Sequence, residues 1–386
     1  MSEKNNGKRN RIPRGYTAED TQRRLKWLKN EQGFDLQDLP ANDPEELKGI
    51  IENHVGYMKI PMSVVGPAMI NGNYANGKYS IPLCTIEGTL AASMNRGLYA
   101  SSLCGGINVK HYRQELSRAP IFIFDDLNQS QEFQVWVNEH MDDIIKAAQS
   151  TTKHGKILRI DQYTMQNYVL LDFILDTGNA AGQNMVTLAA NVACDYIKQQ
   201  TNHSFFLESN LNSDKKASFR NMILGRGHGV IAETAISKSV MTRVLNVDPE
   251  FLYEAFNYFP IVSAMVGTHG NGLHISNALT AIYLATGQDT ACVAENSLGH
   301  FNLKRTDDGL IFRLTLPSLT VGTVGGGTRL NQQQQNLKLL ECDTGEHSSR
   351  KLAEIIAGAT IGLEISLLSA IASHTWTSAH MKYGRK

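Results

Sequence analysis

The feature that most constrains the fold of this 386-residue chain is the order of patterns between residues 119 and 207. Runs typical of strands alternate there with longer stretches typical of helices. The strand-like runs are 121–124, 156–163, 168–175 and 204–207, and the helical stretches are 130–149 and about 179–199. The resulting order, β-α-β-β-α-β, is that of the ferredoxin-like split unit. We therefore predict a compact domain here, inserted into a larger one.

The segments on both sides of this unit combine glycine turns, short strand-like runs and helices. Residues 1–50 form a basic arm, a charged helix that begins at a Thr17/Asp20 start signal, and a short helix near Pro44. Residues 51–118 include a small-residue helix near Gly88, and residues 208–386 end in a long apolar helix. The predicted class is α+β. A large mixed α/β domain (51–118 and 208–386) carries the inserted ferredoxin-like domain (119–207), after a small helical N-terminal region (1–50).

Composition excludes several classes of protein. Lys+Arg and Asp+Glu both number 37, so there is no basic surplus for a nucleic-acid partner. The five cysteines are scattered and include no CxxC pair, which favours reduced thiols in a cytoplasmic protein over disulfides or a metal site. No apolar run reaches the roughly 18 residues that a membrane span needs. The longest, 355–373, is interrupted by glycine, threonine and glutamate and is predicted to be a buried helix.

The loop after the last strand-like run contains the triplet Asp214-Lys215-Lys216. Two adjacent ammonium groups repel each other unless an anion lies between them. Such a pair can hold a substrate carboxylate with one lysine and a developing oxyanion with the other. An isolated triplet of this kind is more often a solvated loop, so its meaning depends on the other motifs.

Four stretches support a common interpretation when they are taken together. They are ENHVGY at 52–57 with TIEGTLAASMNRG at 85–97, SDKK at 213–216 with GRG at 225–227, AIYLATGQD at 281–289, and VGTVGGGT at 321–328 with AHMKY at 379–383. In this order and spacing they resemble 3-hydroxy-3-methylglutaryl-CoA (HMG-CoA) reductase over roughly residues 15–386. The Asp-Lys-Lys before Gly-Arg-Gly is similar to the class I form.

The resemblance implies an activity and an assembly. We expect an NADPH-dependent reduction of HMG-CoA to mevalonate and free CoA, for isoprenoid synthesis. The chain is expected to be a soluble form without the membrane anchor of eukaryotic members. The resemblance also implies a homodimer or higher homo-oligomer, with the active site at the interface between subunits.

The resemblance assigns four catalytic residues, and the chemistry explains their types. Two successive hydride additions each place negative charge on the former carbonyl oxygen. Lys215 would stabilise that charge, with Asp289 as its ionised partner. Glu87 would protonate the second alkoxide, and His380 the departing thiolate. Taken alone, Glu87 and Asp289 also fit helix-capping positions, and His380 fits an exposed residue near a chain end.

The cofactor residues come from the same resemblance, since no GxGxxG follows a strand here. The segment 177–185 (TGNAAGQNM) opens a helix and resembles the family's cofactor motif, with Gly182 and Asn184 as matches. Asn179 and Ala181 depart from the family's Asp and Met. Thr152 and Lys153 would recognise the 2′-phosphate, which favours NADPH over NADH. The glycines at 325–327, namely Gly325, Gly326 and Gly327, would bring backbone close to the nicotinamide.

On the substrate side, the resemblance places two groups of residues. Those around the acyl group are Arg118, Asp214, Lys216 and Asn277, and those along the CoA arm are Ser93, Asn95 and Arg96. Glu208 stands where the family has a serine that contacts the substrate carboxylate. Tyr258 stands near the position where the family has a lysine that binds the same carboxylate. One extra residue also lies between His374 and His380.

These departures leave two alternatives open. One keeps the reduction of a thioester to an alcohol but uses a different 3-hydroxyacyl thioester, without a distal carboxylate. The other is a non-catalytic paralogue that binds CoA esters. The retained acid and base residues argue against the second alternative, because a protein that loses catalysis has no further need of them.

Overall fold

The structure is a computed structural model that describes residues 12–32 and 44–373. The chain divides into two compact units, one up to Pro61 and one from Met62 onward. Each unit is described by itself.

The first unit contains helix α1 (Ala18–Gln32) and a 3₁₀ helix (Pro44–Leu47). The backbone N–H of Asp20 donates to the Thr17 hydroxyl at 3.1 Å, and the N–H of Thr17 donates to the Asp20 carboxylate at 3.1 Å. This reciprocal cap confirms the start signal that the sequence predicts. Arg24 is buried, and its Nε donates to the carbonyl of His54 at 2.6 Å.

The second unit is built on a largely antiparallel sheet, so the fold is α+β. Its strands are β1 (Met62–Asn71), β2 (Asn76–Cys84), β3 (Ile107–Arg118), β4 (Ile121–Ile123), β5 (Lys156–Met165), β6 (Tyr168–Asp176), β7 (Phe205–Phe206), β8 (Gly227–Ser237), β9 (His300–Thr306) and β10 (Gly309–Leu319). The order in the sheet is β7-β4-β6-β3-β8-β10-β9, with β5 beside β6 and β1 beside both β2 and β3. The β1–β3 pair is parallel, and the other strand pairs are antiparallel.

Helices of very different lengths cover this sheet. The α-helices are α2 (Leu90–Leu103), α3 (Leu127–Glu139), α4 (Met141–Gln149), α5 (Gln183–Thr201), α6 (Phe219–Ile223), α7 (Lys238–Val240), α8 (Pro249–Phe256), α9 (Tyr258–Met265), α10 (Ile275–Thr286), α11 (Val293–Asn296), α12 (Asn331–Leu339) and α13 (Ser348–Ala372). A π-helical turn (Met241–Leu245) and 3₁₀ turns (Thr290–Cys292 and Gly326–Arg329) complete the described elements.

In the part of the second unit that the structure describes, buried apolar side chains form two separate clusters. One combines residues from 65–109 with residues from 230–372, and the other is formed by residues 116–197 between them. Helix α13 lies in the first cluster and is buried over almost its whole length. Among the described helices, α13 is long and apolar enough to cross a membrane, but 94% of its apolar window is buried inside the protein. It is therefore the core helix that the sequence predicts at 355–373. All five cysteines are described and free.

Two helix boundaries predicted between residues 119 and 207 are wrong. The stretch 130–149 forms two helices, because His140 adopts a non-helical φ of −111° and ψ of 15° between α3 and α4. Its ring stacks on Trp136 at 4.3 Å between ring centroids. Helix α5 begins at Gln183 rather than near Asn179, because Gly182 takes a left-handed φ of 86° immediately before it.

Candidate active site

The loop that carries Lys215 has an unusual backbone. Lys215 has a φ of 56° and Ser213 a φ of 51°, a region that costs a non-glycine residue about 1 kcal/mol or more. The N–H of Lys215 donates to Oε2 of Glu295 at 2.9 Å, which holds this conformation. Its ammonium lies 2.8 Å from the carboxylate of Asp289. The hydrogen bond to Asp289 raises the pKa of Lys215, so the lysine stays charged at neutral pH.

Asp289 uses its two oxygens for two purposes. Oδ1 accepts the N–H of Ala291 at 3.0 Å and caps the short 3₁₀ helix that follows, while Oδ2 pairs with Lys215. The capping role that the sequence allows and the ion pair that the resemblance implies are therefore both present. Next to it, Gln288 accepts the N–H of Gly322 at 2.9 Å and ties this loop to the glycine-rich segment after β10.

A buried network that the sequence analysis did not assign lies behind Lys215. Arg226 and Glu295 are both fully buried, and their closest nitrogen and oxygen are 2.9 Å apart. Arg226 also donates to Gln183 at 2.6 Å, and Gln183 donates to Asp214 at 3.2 Å. Burial raises the pKa of Glu295. The Gly225-Arg226-Gly227 turn was the available sequence signal, because a charged residue between two glycines needs a specific partner when it is buried.

Arg118, the last residue of β3, is shared by two carboxylates. Its guanidinium contacts Glu208 on one side and lies 3.2 Å from Asp214 on the other. Glu208 therefore faces Arg118 rather than turning outward. The Nζ of Lys216 is exposed and donates to the carbonyl of Asp214 at 3.1 Å. Tyr258 is 69% exposed on α9.

A cleft of about 580 Å³ brings many of the predicted residues together. It is lined by Arg118, Asp214, Lys215, residues 180–185, Thr187, residues 287–289, Gly322 and residues 324–328. Gly182, Asn184, Gly325, Gly326 and Gly327 are all among them. The N-terminus of the 19-residue helix α5 opens into this cleft, an arrangement that favours anions.

Glycines let the backbone segments around the cleft approach closely. A Cβ on Gly287 would lie 2.4 Å from the carbonyl oxygen of Gly327, and one on Gly322 would lie 2.3 Å from the nitrogen of Ala181. Gly325 and Gly326 differ, since within the described residues a Cβ there would meet no atom inside 4 Å. Their backbone faces open space in the cleft, where a flat ligand ring can approach it.

Asn179 has a structural partner for each end of its amide. Its Nδ2 donates to the carbonyl of Gly345 at 2.8 Å, and its Oδ1 accepts the N–H of Ser349 at 3.2 Å. The amide therefore fixes the loop before α5 against the start of α13. An amide suits this role better than the family's carboxylate, because only the amide can donate a hydrogen bond to the Gly345 carbonyl.

The Thr152–Lys153 turn lies beside the same loop. The Thr152 hydroxyl accepts the N–H groups of His154 and Gly155 at 3.1 and 3.0 Å. A Cβ on Gly178 would lie 3.2 Å from the carbonyl of His154, which shows how closely the two turns pack. Lys153 is exposed. The turn that carries Thr152 and Lys153 thus flanks the loop that leads into α5.

Glu87 and Asn277 form a second group. Glu87 is exposed three residues before α2, and the amide of Asn277 donates to its Oε1 at 3.3 Å. The same Asn277 nitrogen lies 3.0 Å from Nδ1 of His274. The loop before α10 is fixed by Glu364 of α13, which accepts the N–H groups of Leu273 and His274 at 2.6 and 2.7 Å. Glu364 is a further residue that the sequence analysis missed, since a glutamate in an apolar helix gives no local sign of its partner.

The three residues predicted for the CoA arm lie on α2 and already have partners within the chain. The Ser93 hydroxyl lies 2.9 Å from that of Ser366, and Arg96 donates to the Ser366 hydroxyl at 2.9 Å and to its carbonyl at 2.6 Å. Asn95 accepts the N–H of Gly66 at 2.9 Å. The helices α2 and α13 pack so closely that a Cβ on Gly97 would lie 1.8 Å from the carbonyl of Gly362. Arg96 and Ser93 therefore join α2 to α13.

His380 lies outside the described residues. Within the described ranges, no group of three His, Cys, Asp or Glu side chains is placed to hold a metal ion.

The fold and the cleft define an α+β protein in which an ammonium–carboxylate pair lies on the wall of a glycine-lined cleft. A profile of the hydroxymethylglutaryl-coenzyme A reductase family matches residues 20–385. The chain belongs to this family. Two archaeal 3-hydroxy-3-methylglutaryl-coenzyme A reductases are similar over 378 residues each. The one from Pyrococcus horikoshii is 39% identical, and the alignment covers 91% of its length. The one from Methanocaldococcus jannaschii is 36% identical, and the alignment covers 93% of its length. Each alignment spans 95% of this chain.

Solved structures show the same fold. The class II 3-hydroxy-3-methylglutaryl-CoA reductase from Streptococcus pneumoniae, bound to NADPH in open conformations, superposes with a TM-score of 0.70. The match covers 91% of this chain and 96% of that one at 18% sequence identity.

Proposed function

We propose that this protein reduces HMG-CoA to mevalonate and free CoA with NADPH, as its family membership suggests. The observation that carries the proposal is the Lys215–Asp289 pair at 2.8 Å on the wall of the cleft. An ammonium held by a carboxylate keeps its charge and its direction, which is what a developing oxyanion needs. Bound NADPH would supply the two hydrides.

The other catalytic roles extend from this pair. Lys215 stabilises the oxyanion after each hydride addition, and Asp289 orients it. Glu87, hydrogen-bonded to Asn277, donates the proton to the second alkoxide. His380 protonates the thiolate of CoA. Arg118, Asp214, Lys216 and Asn277 receive the acyl group, and Ser93, Asn95 and Arg96 support the CoA arm.

The residues around the cleft fit a dinucleotide. Gly182 and Asn184 stand at the N-terminus of α5, where N–H groups and the helix dipole suit a pyrophosphate. Gly325 and Gly326 leave space for a ring against their backbone. Thr152 and Lys153 offer a hydroxyl and a cation for the 2′-phosphate, which favours NADPH over NADH.

We also propose that residues 119–207 form an inserted ferredoxin-like domain that binds the cofactor, with residues 51–118 and 208–386 forming the large domain after an N-terminal region of 1–50. The strand order β7-β4-β6-β5 with antiparallel neighbours supports this proposal. The separate apolar cluster of residues 116–197 supports it as well.

A homodimer or higher homo-oligomer completes the proposal. Helix α9 is almost entirely apolar, yet each of its residues is exposed or partly exposed. Tyr258, Ile261, Val262 and Met265 expose 53–79% of their surface. A second copy of the chain covering α9 would remove this apolar area from water. The Asp-Lys-Lys triplet before Gly-Arg-Gly resembles the class I form, so we propose a class I-like enzyme and place it in the cytoplasm.

The direct test is incubation of the purified protein with HMG-CoA and NADPH, with mevalonate and CoA measured by mass spectrometry. We expect two NADPH consumed for each mevalonate formed. Turnover only with a 3-hydroxyacyl-CoA that lacks the distal carboxylate would favour the alternative substrate. Binding of CoA esters without any reduction would favour the non-catalytic paralogue.

A further inference from the structure

Two carboxylates compete for one guanidinium at the end of β3. Arg118 lines the cleft, its side chain is 10% exposed, and it contacts both Glu208 and Asp214. Among the described residues, its buried Nε has no hydrogen-bond partner. Both terminal nitrogens of Arg118 are therefore occupied by carboxylates of the chain itself.

The two carboxylates are not held equally. Asp214 is also bonded to Arg226 and Gln183, each at 3.2 Å, which fixes it to the buried network. Glu208 has the Arg118 contact and the N–H of Asn210, which it accepts at 2.8 Å through its other oxygen. The Glu208 side chain is 38% exposed, against 21% for Asp214. Glu208 is therefore the carboxylate that an incoming anion can displace.

A substrate with a carboxylate needs a cation in this cleft. Among the described lining residues the cations are Arg118 and Lys215, and Lys215 is already paired with Asp289. Of these two lining cations, Arg118 is thus the one left to bind a distal carboxylate of the acyl chain in a bidentate manner, in addition to Lys216 outside the lining. To do so, the substrate must take the position at Arg118 that Glu208 holds.

We propose that Glu208 is a specificity-determining residue, an internal carboxylate that occupies Arg118 and weakens the binding of acyl thioesters bearing a distal carboxylate. The inference rests on the proposed function. In this proposal, Glu208 makes the binding of the substrate's distal carboxylate less favourable. It affects neither the binding of the CoA portion nor the hydride steps.

The test variant is Glu208→Gln, because Gln keeps the size and the oxygen that accepts the N–H of Asn210 while it removes the charge. Binding of HMG-CoA and of 3-hydroxybutyryl-CoA, which lacks the distal carboxylate, is measured by calorimetry. We expect HMG-CoA to bind about 3- to 30-fold more tightly to the variant than to the wild type. The gain is smaller than for a fully buried charge, because solvent screens the partly exposed Glu208. The dissociation constant of 3-hydroxybutyryl-CoA is expected to stay within about twofold.

The matched control is Glu233→Gln. Glu233 pairs with Arg313 at 2.5 Å, and its 39% exposure is close to that of Glu208, but it lies on β8 outside the cleft lining. Unchanged or weaker binding of HMG-CoA to Glu208→Gln would overturn the inference. An equal gain in affinity for HMG-CoA and 3-hydroxybutyryl-CoA would overturn it as well, and so would the same gain in affinity for HMG-CoA in Glu233→Gln. Failure of the wild type to form mevalonate would instead count against the proposed function, since binding is measured apart from turnover.

Discussion

At the scale of single residues, the site depends on a strained lysine held by two acidic residues. Glu295 accepts the backbone N–H of Lys215, whose φ is 56°, and Asp289 accepts from its ammonium. The backbone and the side chain are thus fixed independently. Such double support places a charge in advance of the reaction, so little reorganisation is needed when the oxyanion forms.

Lys215→Ala tests this placement. We expect turnover of HMG-CoA to fall by roughly 10²–10³-fold or more, because the oxyanion loses its cation. The fold should persist, since the Lys215 side chain is 44% exposed. The measurement is kcat under saturating substrates, with Lys238→Ala, an exposed lysine on α7, as the control. More than a tenth of wild-type turnover in a folded variant would show that another group stabilises the oxyanion.

Lys153→Glu tests recognition of the 2′-phosphate. We expect the KM for NADPH to rise at least about tenfold while the KM for NADH changes little, because only NADPH carries that phosphate. The control is Lys198→Glu, an exposed lysine near the end of α5 with the same change in charge. An unchanged NADPH/NADH preference would place phosphate recognition elsewhere.

At the scale of elements, helix α13 connects the core to the loops of the site. It presents Ser366 to Ser93 and Arg96 of α2, and Glu364 to the loop before α10. Polar residues within this apolar helix therefore fix the positions of two neighbouring elements. Glu364 is fully buried, and burial raises its pKa to about 7 despite the two backbone N–H groups that it accepts.

Glu364→Gln tests this titration. A carboxyl whose pKa is about 7 when folded and 4.5 otherwise binds more protons in the folded state. Its contribution to stability is full below pH 4.5 and is lost as the pH rises to about 7 and above. Since Gln does not titrate, the stability of the wild type relative to the variant should fall by about 2 kcal/mol from pH 5 to pH 8.

The free energy of unfolding of both proteins, measured by urea titration at several pH values, gives this difference. A relative stability that is constant or rises with pH would mean that Glu364 is ionised throughout. The activity of the two proteins at pH 5 and 8 then shows whether the start of α10, which carries Asn277, depends on the same charge.

At the scale of the whole molecule, the described apolar side chains are buried in two clusters, and most of α9 lies outside them. An exposed helix with side chains such as Ile261 and Met265 is unfavourable in water unless another surface covers it. The molecule therefore has a surface suited to self-association.

Ile261→Asp tests association through α9. We expect the dissociation constant of the oligomer to rise at least about tenfold, because a charge at the centre of an apolar interface loses its hydration. Analytical ultracentrifugation over a range of concentrations measures this. The matched control is Val135→Asp, since Val135 is exposed to a similar degree on α3. Equal effects of both variants, or a monomeric wild type, would contradict the prediction.

The sequence by itself determined the order of the strands between residues 119 and 207, because strand and helix periodicities are local properties of the chain. The Thr17/Asp20 cap, the strands from β4 to β7 and the core helix α13 follow from such patterns. The motifs also indicated Lys215, Asp289 and the glycines of the cleft. The His140 break and the start of α5 were missed, because each depends on the conformation of one residue.

Only the tertiary structure decided which charges meet. Glu208 lies against Arg118, Glu295 holds Lys215 through a backbone N–H, and Gln183 connects Arg226 to Asp214. These partners are distant in sequence, and nothing in the pattern around either one specifies the other. Their pairing follows from desolvation, because a charge that folding removes from water must find a partner among the groups that the fold brings beside it.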